Sequence, residues 1–318
     1  MLVSFNYRLG IFGFIDFSEV PGGEAYPDAL NLGLLDQIAA LEWIKENIAA
    51  FGGDPERITV LGFESGATCI CLLAASARTK ALKDAAQRLW KNMCAPTCDG
   101  LLIPARVYDA YQNGAASGIA FIDGMTSGDM QVIRSSVGSK NYEDAVNAAV
   151  DDLKGYLDGS IAEAVQAYIA AQTAATSELE AKSKLVGQWI ALGIYRVAAK
   201  LSQGGSKVHL MYWDEKALIE NLGSGTADVL ATLLGNGEAL QMYGSVMNAD
   251  LSETLQALLL KFVSGDALQL YRNEISGFDG LDWTAFPQAL IVADGKFACD
   301  TIEDRITEVK GLLDYIVK

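Results

Sequence analysis

Ile58-Thr59-Val60-Leu61-Gly62-Phe63-Glu64-Ser65-Gly66-Ala67 carries a β-branched run into a Gly-x-Glu-x-Gly turn, and a helix-like segment, Ala67 to Ala77, leaves it. A strand bent sharply into a helix brings the residues two places before and after its tip together, so both positions call for small side chains. The spacing is that of a nucleophile elbow, whose usual form is Gly-x-Ser-x-Gly. Here Glu64 holds the tip and the nearby serine, Ser65, stands one place late. Taken alone, these ten residues also suit a Gly-rich strand-to-helix turn of no functional meaning.

The flanking sequence adds three further motifs. Val3-Ser4-Phe5-Asn6-Tyr7-Arg8-Leu9-Gly10-Ile11-Phe12-Gly13-Phe14 comes first, followed by Asn31-Leu32-Gly33-Leu34-Leu35-Asp36-Gln37 and Asn47-Ile48-Ala49-Ala50-Phe51-Gly52-Gly53-Asp54-Pro55. Together with the elbow they resemble the type-B carboxylesterase and lipase family, which includes cholinesterases, para-nitrobenzyl esterases and the neuroligin-like members that use the fold for adhesion. The resemblance runs without a gap from Asn31 to Ser76 and thins downstream. It implies an α/β-hydrolase fold, a mostly parallel sheet with helices on both faces. The family's oxyanion loop precedes the motif that here begins at Val3, so the sheet is expected to be incomplete at its N-terminal edge, as in an internal start, a truncated gene or a degenerate member.

The resemblance also assigns catalytic slots one by one. Glu64 occupies the nucleophile slot, and Ser65 is the alternative nucleophile if the elbow is displaced by one residue; that displacement would put Phe63 at a glycine position. Cys98-Asp99-Gly100-Leu101-Leu102-Ile103-Pro104 resembles the family's DG-x-x-LP, and the next turn, Gly124 to Met130, aligns Asp129 with the acid. An Asp near a helix start is equally suited to the helix dipole. Gly223 to Gly235 aligns Thr226 with the histidine. A threonine hydroxyl is no general base near neutral pH, so the implied triad is broken. With no cation between them, Glu64 and Asp129 are expected to share a pocket in which the acid's pKa is raised. The chain has one histidine, His209, in the apolar run Val208 to Trp213, where the structural reading outweighs a catalytic one.

Composition bounds the rest. At 318 residues and 51% hydrophobic the chain can bury a large core, read as one α/β-hydrolase-like domain over 1–318 with a helical insertion or cap at about 140–203. A net charge of −16 disfavours nucleic acid and acidic membranes. No apolar run approaches a membrane span, and the apolar start lacks a basic leader. Five cysteines, none with a histidine nearby, read as reduced thiols of a cytoplasmic protein rather than a zinc site. No cofactor is implied. The partners expected are a small-molecule ester or hydrophobic ligand, with a protein partner left open.

Periodicity predicts strands at Leu2 to Tyr7, Ile58 to Leu61, Ile119 to Ile122, Val208 to Trp213 and Ala289 to Ala293. It predicts helices at Leu34 to Ala50, several between Tyr142 and Leu201, Leu251 to Val263 and Thr301 to Val317. Three functions remain open: a catalytically silent family member, a hydrolase with altered chemistry at the elbow carboxylate, and an esterase acting through Ser65.

Overall fold

A computed structural model describes residues 1–17, 20–63, 65–76, 98–128, 139–215, 226–242, 246–266, 269–270, 281–309 and 311–312. They form two compact units, one of residues 1–119 with 203–206 and one of residues 120–202 with 207–318.

The first unit is built on helix α1, Leu32–Asn47. Leu34, Gln37, Ile38, Leu41 and Ile44 recur at helical spacing and are all buried, so they form its packed face. Of the apolar residues whose helical spacing predicts this helix, Ile38, Leu41, Ile44 and Ile48 are buried, whereas Ala39 and Trp43 are exposed, Trp43 at 52% with its ring 6.2 Å from Phe51. A 3-10 turn, Ile48–Phe51, ends at Gly52, whose φ of 83° is the left-handed conformation expected at such a stop. Helices α2, Ser65–Leu73, and α3, Val107–Gln112, complete the unit.

Two expected strands are not formed. Residues 1–9 and 57–63 carry no regular secondary structure. Their β-branched and apolar content expresses only a side-chain preference, and a strand also needs a neighbour to take its backbone hydrogen bonds. Among the described residues neither segment has one.

The second unit holds a four-stranded sheet in the order β1-β2-β5-β6. Its strands are β1 Ala120–Thr126, β2 Lys207–Trp213, β5 Ala289–Ala293 and β6 Lys296–Asp300. A two-stranded ribbon pairs β3, Gln269–Leu270, with β4, Leu281–Asp282. β1, β2 and β5 are parallel, and β6 turns back antiparallel on β5. Every residue from Val208 to Trp213 is buried, as a parallel strand covered on both faces requires.

β1 runs through Thr126, three residues into the stretch expected to be the acid turn, because Gly124, Met125 and Thr126 continue the register against Met211, Tyr212 and Trp213. β6 was not expected. Its signal is Asp294-Gly295, with φ of 50° and 70°, the two left-handed residues of a tight hairpin turn.

Helices α4 Ser139–Tyr156, α5 Gly159–Thr173 and α6 Glu178–Gln203 account for the Ala-rich middle of the chain. α7 Thr226–Leu233 and α8 Gly237–Met242 precede α9, Ala249–Ser264. Leu251, Leu255 and Leu258 of α9 pack with Met211, Trp213, Leu290 and Val292, which fixes one face of the sheet. Asn248 caps α9 by accepting from the Leu251 amide at 3.2 Å, and Gly265 closes it. The closing helix expected over Thr301–Val317 is interrupted: α10 spans Glu303–Ile306, Thr307 turns extended, and Leu312 is helical again, with residue 310 outside the described residues. Residues 313–318 lie outside the described residues.

Candidate active site

The elbow is held by backbone contact. A Cβ on Gly62 would lie 2.6 Å from both the carbonyl carbon and oxygen of Gly66 and 2.5 Å from Cδ1 of Ile70. A Cβ on Gly66 would meet nothing within 4 Å. The close approach therefore demands glycine at position 62 alone. The Gly66 amide donates to the Phe63 carbonyl at 2.8 Å, and α2 starts at Ser65. Glu64 lies outside the described residues, as does Asp129.

Ser65 is exposed, and its hydroxyl meets the phenol of Tyr7, which also reaches the Cys69 thiol one helical turn further on. Burial, and then the neighbouring Cys69, push the Tyr7 pKa above its ordinary value, against a smaller opposing pull from Ser65. A phenol held above 10 stays protonated at neutral pH, so Tyr7 takes no proton from Ser65. Cys69 is itself pushed up by burial, with Gln37 and Tyr7 pulling the other way, so it is an inert thiol. Tyr7 and Gln37 lie within quoted motifs, yet nothing in their spacing signalled that both would meet Cys69 or that Tyr7 would reach Ser65.

Two polar clamps join the motifs in space. Arg8 donates to Asp36 through Nε at 2.7 Å, through a terminal guanidinium nitrogen at 2.6 Å and through its backbone amide at 2.9 Å. The guanidinium holds the Asp36 carboxyl below its usual range. Gly33 packs under the same loop: its amide donates to Gly13 at 2.9 Å, and a Cβ there would lie 2.4 Å from the Phe14 ring. Asp99 binds the second clamp. Its Oδ1 accepts from the amides of Leu101, Leu102 and Ile103 at 2.9, 2.8 and 2.9 Å, and its Oδ2 from the buried Asn31 at 2.9 Å. Asn31 opens the N-x-G-L motif and Asp99 the D-G-x-x-L-P motif.

Thr226 is the first residue of α7, in the second unit. His209 lies in β2, 3% exposed, its ring edge-on to Trp283 at 5.6 Å. Its Nδ1 is enclosed without a partner. Burial, then Lys207, lower its pKa below 6.5, against smaller pulls from the backbone at Thr284 and Trp283. The unfolded chain therefore takes up this proton more readily than the folded one. Stability that is complete above about pH 6.5 falls as pH drops below it. His209→Gln is expected to flatten that acid limb in urea unfolding at pH 7.5 and 5.5; an unchanged slope would show the imidazole to be hydrated.

Among the described residues no group of three or more His, Cys, Asp or Glu could hold a metal ion, and no helix is long and apolar enough to cross a membrane. Cys69 and Cys299 are free, with burial pushing Cys299 up to about 11. Cys94 lies outside the described residues.

Residues 1–89 match the sequence model of the carboxylesterase family. Para-nitrobenzyl esterase of Bacillus subtilis is 52% identical over 82 residues, 26% of this chain and 16% of that protein. Over this segment the chain is similar to the type-B carboxylesterase family. Neuroligin-2 of Mus musculus is 50% identical over 82 residues, 26% of this chain and 9% of that protein. The matched sequence thus spans less than a fifth of these relatives. The likeness of fold reaches further. A solved structure of PNB esterase aligns over 98% of this chain and 72% of its own, with a TM-score of 0.71 and 21% identity. The carboxylesterase of Geobacillus stearothermophilus aligns over 98% and 74%, with a TM-score of 0.68 and 21% identity. The carboxylesterase-family segment and the parallel sheet beyond it therefore belong to an α/β-hydrolase fold.

Proposed function

We propose that this carboxylesterase homologue is silent as a serine esterase and retains the hydrolase frame to bind a small ester or hydrophobic molecule in the cytoplasm. The observation that carries the reading is the chain's one imidazole, buried in β2 against Trp283. Acyl transfer by a serine needs a base to accept its proton. The hydroxyl nearest the elbow, Ser65, faces a phenol that stays protonated.

The Gly62–Gly66 contact supports a turn centred on position 64 rather than 65, since a tip at 65 would set Phe63 where close packing calls for glycine. The slots carried over by family resemblance then hold Glu64, Asp129 and Thr226, which leaves the nucleophile slot without a hydroxyl and the histidine slot without an imidazole base. The matched segment is nearly as similar to neuroligins as to an esterase, so its frame alone does not carry hydrolysis.

Para-nitrophenyl acetate turnover is expected to equal that of an inert protein of similar surface, with no fluorophosphonate adduct. Glu64→Ser alone is expected to leave it so, because the new hydroxyl has no base. Turnover abolished by Ser65→Ala and untouched by Glu64→Gln would overturn the reading and make Ser65 the nucleophile.

A further inference from the structure

Asp123 sits in the middle of β1, opposite Leu210 of β2, on the sheet face shared by Met125, Tyr212 and Ile291. Met125, Leu210, Tyr212 and Ile291 are all buried. The residue as a whole keeps some exposed surface, but its Oδ2 has none and has no hydrogen-bond partner. The enclosure of that oxygen, rather than the residue average, sets how poorly a charge there is hydrated.

Among the described residues nothing compensates the charge. Burial is the one influence on this carboxyl and pushes its pKa up to about 7. The titratable residue beside it on the same face is Tyr212, pushed up to about 12 by burial and Asp214 against a smaller pull from Arg305, and so neutral throughout. His209 is level with Ile122 and therefore lies on the opposite face. Phe121 and Met125, the residues of β1 that share the face of Asp123, are both apolar. An ionised carboxylate in that row weakens the sheet, whereas its protonated form is tolerated.

We propose that Asp123 is a proton-operated element of the sheet: neutral, it lets β1 pair tightly with β2, and ionised, it loosens that pairing. The device acts where it matters for the fold, because β1 runs directly into residues 126–128 and β2 into 214–215. It is independent of the catalytic reading above.

The sign follows from the direction of the shift. The folded pKa lies above the ordinary 3.8, so the contribution is complete below about 3.8, is lost as pH rises to about 7, and is constant beyond.

The test compares the full chain with Asp123→Asn and Asp123→Leu in urea unfolding between about pH 4.5 and about pH 8.5. The unfolding constant of the wild type relative to either variant is expected to grow by up to about tenfold per pH unit and to level off above neutrality. Amide exchange at Ile122 to Thr126, corrected for its intrinsic pH dependence, should accelerate towards pH 8 in the wild type and not in Asp123→Asn. Carbon-13 titration of the folded carboxyl should have a midpoint near neutral pH, and it decides the matter even where a variant fails to fold. Parallel stability profiles, or a midpoint near the ordinary carboxylate value, overturn the proposal.

Discussion

Gly62→Ala is expected to destabilise the first unit by about 3 kcal/mol, while Gly66→Ala is expected to be neutral or up to about 1 kcal/mol stabilising. Both are the glycines of one Gly-x-Glu-x-Gly turn, so the sequence offers no reason to rank them. The contacts do. The Cβ added at position 62 would press on the carbonyl group of Gly66 at 2.6 Å, and backbone cannot rotate away as a flexible side chain can. The Cβ added at 66 enters open space near the start of α2, where alanine is the better helix former. Urea unfolding of the two variants under one set of conditions checks this. Equal losses would mean that the segment before the turn and helix α2 do not approach as described.

Asp99→Ala is expected to cost about 3 kcal/mol, with Asp99→Asn between it and the wild type. One carboxylate oxygen accepts from three successive amides and the other from Asn31, so alanine removes four hydrogen bonds to a charged group. These bonds do not add, because the loop relaxes and water reaches the exposed Leu101 amide. Asparagine keeps one acceptor for the amides but turns an N–H₂ towards the side-chain donor of Asn31. Thermal or urea unfolding of the three proteins ranks them, and an Asp99→Asn stability equal to the wild type would show the Asn31 bond to contribute nothing.

Local patterns carried much of the architecture. α1 reads from Ile38, Leu41 and Ile44 because a helix satisfies its own hydrogen bonds, and a stripe at helical spacing needs one apolar neighbour whatever its identity. β2 and β5 read from continuous apolar runs suited to burial on both faces. The hairpin to β6 is legible in Asp294-Gly295, although Lys296–Asp300 offers no long apolar run. The Gly-x-Glu-x-Gly spacing stands in the sequence as plain spelling, as does the single histidine.

The non-local choices belonged to the tertiary structure. Residues 1–9 and 57–63 have the composition of strands, but a strand exists only where another backbone accepts its ladder, and composition does not carry that partner. The same holds for the site. Ser65 was a candidate because of its residue type, yet its chemistry depends on Tyr7, brought to it from near the start of the chain. Asp123 differs from an ordinary strand carboxylate only through the side chains closing over one oxygen. Residue identity and spacing specify the elements and the chemical vocabulary, because those depend on groups a few positions apart. Protonation, close approach and pairing depend on which distant surfaces exclude water from a given atom, and folding decides that.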